Sequence, residues 1–364
     1  MRSEADIMRH WSSGQGGLPV VSIECTTYNH DDFIAGALEG MLAQETRFPF
    51  EIIVNDDASS DATADIIRDF QRRYPRLLRG NLHRENQLSQ GISPLTHTLP
   101  LCRGRYTAIC EGDDAWTDPH KLQRQIDMLE QHPECDMAFH AAEMRYRDGR
   151  LGVTGHYGSR PRIVSAEEVI EKRHGGIPTA STVVRTPLLH ELKRFMAGQE
   201  DKLVSDVYLE ALAASRGGAC YLPDPMSIYR YQVPGSWSSR EAADPLRKLT
   251  RIRQRVHSFQ RLDEWLGRQF TASFQLANRD LIFKAVKLTE ASHEARISFY
   301  AEFGGLLGMR DRCLARLLIA WPGSIDWYRG MRSQLSRLSP SGKHRSGRWR
   351  TQNLMVGSGE ERRP

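Results

Sequence analysis

Cys110-Glu111-Gly112-Asp113-Asp114-Ala115-Trp116 is the most informative stretch of this sequence. It follows an apolar run, residues 106–110, whose composition and flanking glycines predict a buried strand. Paired carboxylates at the carboxyl end of a strand suit a hard divalent cation and the phosphates that such a cation binds. Ligands also bind at that edge in open α/β sheets. The alternative is an ordinary polar turn, because Gly and Asp are frequent in turns.

The sequence on either side predicts strands that alternate with helices. Residues 20–25 and 51–55 are apolar and rich in β-branched side chains, as strands are. Apolar residues recur at helical spacing in residues 31–44 and again after Asp61. A further helix is predicted after the acidic stretch, with Asp118 as its N-cap and Pro119 at its first position. This alternation predicts a parallel sheet covered by helices.

Three of the predicted strands end in polar loops, which would lie at one edge of a parallel sheet. The loops contain Thr-Tyr-Asn at 27–29, Asp-Asp-x-Ser-x-Asp at 56–61 and Glu-Gly-Asp-Asp-x-Trp at 111–116. In order and spacing they resemble the family 2 glycosyltransferases with the GT-A fold. The resemblance covers residues 20–239, and residues 111–123 are similar to a bacterial branch that decorates surface polysaccharides. It implies an α/β fold with a mixed, mostly parallel, Rossmann-like sheet flanked by helices.

The resemblance implies a nucleotide-sugar site in the first two loops. Thr26, Tyr28 and Asp57 match positions that contact the nucleotide, and Asp57 is expected to accept a hydrogen bond from the uracil N–H of a uridine diphosphate sugar. Asp56 is expected to support the same loop. Both acids could instead be helix N-caps, although Ser59, Ser60 and Asp61 can also cap the following helix.

The resemblance also implies a metal site in the third loop. Asp113 matches a carboxylate that faces the ribose or the metal, and Asp114 matches the metal ligand itself, so the expected cofactor is Mn²⁺ or Mg²⁺. Such a cation neutralises charge on the leaving diphosphate without a protein acid. Gln232 stands where many relatives carry His, which leaves a third protein ligand, and strict metal dependence, open.

A catalytic base is expected at the start of a later helix, within residues 203–212. In the family, an acid that opens this helix deprotonates the acceptor hydroxyl, and Asp206 matches it. In-line attack opposite the diphosphate would invert the anomeric carbon. The alternative is that Asp206 only caps the helix, where the helix dipole favours a negative charge. Glu200 and Asp201 are rival acids.

Several other residues are weaker candidates. Arg230 lies in a stretch that resembles the segment closing over the diphosphate, where it could bind phosphate or form a structural ion pair. Asn86 follows a predicted edge strand and is a candidate nucleotide contact. Thr179 and Ser181, in a hydroxyl-rich strand-like run, could face the acceptor or belong to a half-buried strand. Trp237 could stack on a sugar or pack in the core.

Composition is typical of an enzyme without a membrane span. The chain has 364 residues, 40% of them hydrophobic, and six cysteines without Cys-x-x-Cys spacing. We expect no transmembrane helix, no secretion signal and a reducing cytoplasmic location. The net charge is only +5, and no nucleic-acid recognition motif is present, so we expect no nucleic-acid partner.

The sequence divides into four regions. We expect an N-terminal segment (1–17), a GT-A glycosyltransferase domain (18–240), a helical C-terminal region (241–335) and a basic, disordered tail (336–364). Basic residues flanked by aromatic ones suggest peripheral attachment of the C-terminal region to the inner face of an anionic membrane. The alternative is a packed helical subdomain followed by a solvated tail.

The leading hypothesis is therefore a metal-dependent, inverting glycosyltransferase. It would move a sugar from a nucleoside-diphosphate sugar, a uridine diphosphate sugar by preference, to a glycan or lipid-linked acceptor in surface polysaccharide synthesis. One alternative is a nucleotide-sugar-binding or membrane-associated assembly module without turnover. Another is a nucleotidyltransferase, which would release pyrophosphate.

Overall fold

Strands and helices alternate along most of the chain. The computed structural model describes residues 1–12, 17–197, 205–232 and 244–321. The elements of the first third are α1 (Glu4–Met8), β1 (Val21–Thr27), α2 (Ile34–Leu42), β2 (Phe50–Asp56), α3 (Thr63–Arg73), β3 (Leu78–Leu82), α4 (Leu95–Thr98), β4 (Tyr106–Ile109), β5 (Ala115–Trp116) and α5 (Lys121–Gln131). They are followed by β6 (Met137–His140), β7 (Ala142–Tyr146), β8 (Leu151–Thr154), β9 (Arg162–Val164), α6 (Ala166–Ile170), β10 (Val183–Arg185), α7 (Thr186–Ala197), α8 (Ser205–Ala214), β11 (Ala219–Leu222) and β12 (Ser227–Tyr231).

Eight of the described strands form one mixed sheet, in the order β3-β2-β1-β4-β10-β6-β11-β9. The first four strands in this order are parallel to one another. Strand β10 runs antiparallel to both of its neighbours, β6 and β11 are parallel, and β9 is antiparallel to β11. A smaller sheet has the order β5-β12-β7-β8. The predicted fold class, a mostly parallel mixed sheet flanked by helices, agrees with this architecture.

The centre of the large sheet is buried on both faces. Every residue of β2 is buried, and so is every residue of β1 except Thr26. Strands of this kind read as nearly continuous apolar runs because helices cover both faces of a parallel sheet. Ile34, Leu38 and Met41 of α2 are fully buried, at the spacing of one helix face.

Two local predictions are wrong. Helix α5 begins at Lys121 with His120 as its N-cap, so neither Asp118 nor Pro119 lies where the sequence pattern placed it. Asp118 instead accepts a hydrogen bond from the His120 backbone N–H at 2.8 Å, in a turn that precedes the helix. The hydroxyl-rich run before Arg185 is mostly not a strand, because Thr179–Ser181 form a short 3₁₀ turn and only β10 pairs with the sheet.

The C-terminal region is helical, as predicted. Its helices are α9 (Pro245–Trp265), α10 (Thr271–Val286), α11 (His293–Phe303) and α12 (Met309–Ala320). Phe259 of α9 and Phe274 of α10 belong to the same buried cluster as Phe139 of β6 and Tyr221 of β11. These helices therefore share a core with the sheet. Within the described ranges, none of the helices is long and apolar enough to cross a membrane. The basic tail lies outside these ranges.

All six cysteines are free thiols. Cys25, Cys110, Cys135 and Cys220 are buried in or beside the large sheet, Cys102 is half-buried, and Cys313 on α12 is exposed.

Candidate active site

The polar loops predicted to share one edge of the sheet do so. Thr27 at the end of β1 is in register with Asp56 at the end of β2. The Asp57 backbone N–H donates to the Thr27 carbonyl at 3.0 Å, and the Gly112 N–H donates to the Thr26 carbonyl at 2.9 Å. Backbone hydrogen bonds on both sides of β1 thus join the first loop to the other two.

Asp114 is the most unusual acid at this edge. Its side chain is 1% exposed. Oδ1 accepts a hydrogen bond from the Arg230 backbone N–H at 3.3 Å, whereas Oδ2 is buried and has no hydrogen-bond partner among the described residues. Burial and the neighbouring Asp113 carboxylate raise the pKa of Asp114 well above its usual range. A buried carboxylate oxygen without a partner is rare, and this one is suited to coordinate a cation.

Asp113 lies beside this buried acid and is more accessible. One of its carboxylate oxygens is 3.8 Å from His30 Nε2, and its backbone carbonyl accepts a 2.6 Å hydrogen bond from Arg230 Nη1. Gly112 is required just before it, since a Cβ there would stand 2.4 Å from Thr27 Oγ1. The acidic loop is therefore packed tightly against the first loop.

Arg230 of β12 contacts both acids of the acidic loop. Its guanidinium lies 5.1 Å from the centroid of the Phe33 ring, and burial lowers its pKa. Among the described residues it forms no ion pair within 4.0 Å, so the structural ion-pair alternative is not what is seen. Its remaining N–H groups are suited to an anion such as a phosphate.

Asp57 and Asn86, both predicted nucleotide contacts, are neighbours. The Asp57 carboxylate accepts backbone N–H groups from Gln87 at 2.6 Å and Leu88 at 3.1 Å. The Asn86 side-chain amide donates to the Asp57 carbonyl at 3.1 Å. Asp57 thus caps the turn Leu88–Gln90 and not the helix that follows it in sequence. A carboxylate accepts about four hydrogen bonds, so a nucleotide N–H can still be accommodated.

The remaining residues of the first two loops hold the loops together. Asp56 is 1% exposed; it accepts hydrogen bonds from the backbone and hydroxyl of Ser59, and burial raises its pKa. Thr26 donates to Glu24 at 2.7 Å, and Tyr28 is half-buried. Asn29 and Ala58 have φ of 54° and 62°, a left-handed conformation that is uncommon for residues other than Gly and is concentrated at functional sites.

A cavity of about 130 Å³ opens beside these loops. Thr26, Thr179 and Asp206, which were predicted for the nucleotide, the acceptor and the base, line it together with Glu111 of the acidic loop. Its other lining residues are Glu24, Ser93, Pro94, Leu95, Ile109, Ile177, Thr182, Leu192, Leu209 and Glu210. Asp57, Asp113 and Asp114 are not part of this lining, but Glu111 belongs to the same loop as the acid pair.

The sequence reasoning missed Glu210. It is 6% exposed, lies one helical turn after Asp206 on α8, and lines the same cavity. Burial raises its pKa to about 7, against the effect of Lys172, whose ammonium is 3.6 Å away. The spacing of four residues from Asp206 could have indicated it, since such residues share a helix face. Glu24 also lines the cavity, and burial raises its pKa. The sequence reasoning missed it because it lies within a predicted strand and not in a loop.

The remaining predicted residues either do not line this cavity or lie outside the described residues. Ser181 is fully buried and donates its hydroxyl to the Pro178 carbonyl at 2.6 Å. His140 is a buried core residue, with Nδ1 2.7 Å from the Ala141 carbonyl. Gln232 has a left-handed backbone with φ of 59°. Trp237 and the rival acids Glu200 and Asp201 lie outside the described residues.

The acidic loop fits a divalent cation that needs only one or two carboxylates from the protein. No three His, Cys, Asp or Glu side chains in the described ranges form a complete metal cage. Mg²⁺ sites, however, are usually built from one or two carboxylates with the rest of the shell supplied by water and substrate phosphates. Asp114, with its unpartnered oxygen, and the adjacent Asp113 fit such an incomplete shell.

Comparison with known families identifies the class of protein. The family description "Glycosyl transferase family 2" matches residues 22–173. This range contains the three polar loops and the acid pair, so this segment of the chain is similar to the glycosyl transferase family 2. The family resemblance predicted from the sequence is confirmed.

Individual relatives agree with this assignment. An uncharacterised protein of Mycobacterium tuberculosis is 36% identical over 221 residues, which are 60% of this chain and 61% of that protein. The Escherichia coli protein WfaP, named a UDP-Glc:alpha-D-GlcNAc-diphosphoundecaprenol beta-1,3-glucosyltransferase, is 29% identical over 146 residues, 40% of this chain and 54% of WfaP. The matches thus span less than two thirds of these relatives.

A solved structure confirms the fold. The crystal structure of residues 1–349 of S. aureus TarS in complex with UDP-GlcNAc superposes with a TM-score of 0.58 and 19% sequence identity, covering 82% of this chain and 87% of TarS 1–349. The predicted GT-A architecture is therefore the observed one.

Proposed function

We propose that this protein is a glycosyltransferase that moves a sugar from a nucleoside-diphosphate sugar to a glycan or lipid-linked acceptor in surface polysaccharide synthesis. The observation that carries the proposal is the buried Asp114 carboxylate, whose Oδ2 has no partner in the described part of the chain. It lies at the sheet edge where α/β proteins bind ligands. The family assignment and the cavity that contains Asp206 support it.

The donor binds at the first two loops in this proposal. Asp57, held by two backbone N–H groups, accepts from the base, with Thr26, Tyr28 and Asn86 around it. Arg230 binds the diphosphate oxygens with N–H groups for which the described part of the chain offers no acceptor. Uridine is the favoured base because the name of the E. coli relative specifies UDP-glucose.

Asp113 and Asp114 would hold a divalent cation, Mn²⁺ or Mg²⁺. When bound, this cation acts as a Lewis acid that stabilises the charge on the leaving nucleoside diphosphate. The protein part of this arrangement is a preorganised loop: the Arg230 backbone N–H and guanidinium orient it from one side, and Gly112 fixes it against β1.

Asp206 is the general base. Its side chain is exposed and lines the cavity, so an acceptor hydroxyl can approach it, as a base requires. The hydroxyl oxygen attacks the anomeric carbon, its proton passes to the Asp206 carboxylate, and the bond to the diphosphate breaks on the opposite face. The product has inverted configuration. Thr179 and Thr182 provide hydroxyls to the acceptor at the cavity wall.

The acceptor proposed is a glycan, free or carried on a lipid diphosphate. The name of the E. coli relative specifies a diphosphoundecaprenol-linked sugar, which supports a lipid-linked acceptor. Such an acceptor places the reaction at the inner face of a membrane. The basic C-terminal residues proposed for attachment lie outside the described ranges.

The test compares three purified variants with the wild type. Asp206→Asn removes the base, and we expect transfer to fall by about 10²–10⁴-fold with an unchanged melting temperature. Its matched control is Glu167→Gln, which neutralises an exposed first-turn acid of another helix, α6, and should leave transfer unchanged. Asp114→Asn should abolish the gain in uridine diphosphate affinity that Mn²⁺ gives in calorimetry.

The products distinguish the alternatives. Release of the nucleoside diphosphate supports sugar transfer, whereas release of pyrophosphate would make the protein a nucleotidyltransferase. Binding of nucleotide sugars without turnover over a panel of donors and acceptors would support a non-catalytic module. Near-normal transfer by Asp206→Asn and Asp114→Asn would remove the proposed mechanism.

A further inference from the structure

Lys121 is a fully buried lysine in an unfavourable position. Its side chain is 0% exposed, whereas lysines are almost never fully buried without a charged partner. No carboxylate of the described residues lies within ion-pair distance of its ammonium. Lys121 is also the first residue of α5, where the helix dipole disfavours a positive charge. Burial lowers its pKa to about 7. Fold stability therefore does not explain this side chain.

The contacts of the ammonium converge on one turn of the backbone. Nζ stands 3.9 Å from the centroid of the Trp116 ring and donates to Gln125 Oε1 at 2.8 Å. The Trp116 indole N–H donates to the Ala180 carbonyl at 2.8 Å, and the Gln125 amide donates to the Ser181 carbonyl at 2.7 Å. The two side chains that contact the ammonium, Trp116 and Gln125, thus donate hydrogen bonds to consecutive carbonyls of the 3₁₀ turn Thr179–Ser181.

This turn joins the two halves of the candidate active site. Thr179 and Thr182 line the cavity that contains Asp206. Trp116 follows Asp114 by two residues, on the strand that continues the acidic loop. A shift of the Trp116 ring would therefore move the cavity wall relative to the acid pair.

We propose that Lys121 is a positioning residue that fixes the wall turn Thr179–Ser181 against the acidic loop through Trp116 and Gln125. This inference rests on the proposed transferase function. A cation over an aromatic face orients the ring, and the hydrogen bond to Gln125 orients the amide. Lys121 maintains the distance between the donor and acceptor sides at the expense of fold stability.

The experiment uses Lys121→Met, which fills a similar volume without charge. We expect a melting temperature at or above that of the wild type, because an unpaired buried charge is removed. We expect unchanged affinity for uridine diphosphate with Mn²⁺, and transfer to an acceptor slower by on the order of tenfold to a hundredfold, the effect of a small misplacement. Lys193→Met, an exposed lysine of α7, is the matched control and should match the wild type.

Trp116→Phe provides a second, independent variant. It keeps a ring under the ammonium and removes the N–H that binds the Ala180 carbonyl, so transfer should fall while nucleotide affinity stays. If Lys121 and Trp116 act through the same turn, the variant that combines Lys121→Met and Trp116→Phe should lose little more transfer activity than the worse of the two single variants.

The outcomes separate this inference from the proposed function. A lower melting temperature of Lys121→Met, or its failure to fold, would show that Lys121 stabilises the fold and would overturn the inference. So would normal transfer by Lys121→Met, or fully additive losses in the double variant. If the wild type itself transfers no sugar to any acceptor of the panel, the proposed function fails and the inference falls with it.

Discussion

Glu210 allows the electrostatics of the candidate cavity to be measured without a substrate. It is almost fully buried, and only Lys172, at 3.6 Å, offers a charged partner within ion-pair distance among the described residues. Glu210→Gln replaces the carboxyl group by a neutral amide of nearly the same shape. The substitution therefore removes the ionisation and leaves the packing of α8 in place.

The expected effect depends on pH in a definite direction. Burial raises the pKa of Glu210 from 4.5 to about 7. Below pH 4.5 the group is protonated in both the folded and the unfolded chain and has no effect on stability. Between pH 4.5 and 7 only the unfolded chain ionises, so the free energy of unfolding of the wild type falls. Above pH 7 the loss is complete, at about 3 kcal/mol, since each pKa unit is worth about 1.4 kcal/mol.

Glu210→Gln should abolish this loss. In urea denaturation followed by circular dichroism, the variant and the wild type should have similar unfolding free energies near pH 4.5. The variant should then become the more stable by up to about 3 kcal/mol near pH 8. Glu167→Gln, at an exposed position, serves as the control. A stability difference that stays constant with pH, or that favours the wild type as the pH rises, would refute the reasoning.

Three further predictions concern the loops of the site. Gly112→Ala should destabilise the protein by about 1–3 kcal/mol, because the new Cβ would meet Thr27 Oγ1 at 2.4 Å. The control for Gly112→Ala in thermal melts is Gly36→Ala, in open space on α2, which should instead stabilise the protein by up to about 1 kcal/mol. Arg230→Lys should weaken uridine diphosphate binding in calorimetry by about tenfold, since it loses the guanidinium hydrogen bonds; an unchanged affinity would exclude its phosphate role. Asp57→Asn should destabilise its turn by about 1–3 kcal/mol, seen as faster amide exchange at residues 87–88; unchanged exchange would contradict this.

The pattern of strands and helices was predictable because both depend on local periodicity. Strands β1, β2 and β4 are mostly buried runs rich in apolar and β-branched residues, and amphipathic helices follow β1 and β2, so a parallel sheet was the simple solution. Strand β10 lies at the end of the predicted strand-like run, but its antiparallel insertion between β4 and β6 was not predicted, because three residues carry no periodic signal. The sequence pattern predicted a start of α5 that is too early. Asp118 accepts a hydrogen bond from a backbone N–H of the turn before the helix, and the sequence does not distinguish this arrangement from a helix N-cap.

The candidate site was predictable where residues follow strand ends. Thr26, Asp57 and Asp114 lie at one sheet edge because the topology requires it. The burial of Glu210 and Lys121 was not predictable, since charged residues in a helix are exposed by default and only tertiary packing shows that these two are buried. The sequence does not specify the 3₁₀ turn that directs the Ser181 hydroxyl to the Pro178 carbonyl. For this reason Ser181 was expected to face the acceptor.

The distribution of the thiols has a practical consequence. Cys313 is the one exposed cysteine of the six, while burial raises the pKa of the Cys25, Cys102 and Cys110 thiols, which disfavours the reactive thiolate. A maleimide fluorophore should therefore attach to the native chain at Cys313 alone, on a helix whose residues do not line the cavity. Labelled in this way, the unaltered protein could report by anisotropy whether it associates with lipid vesicles.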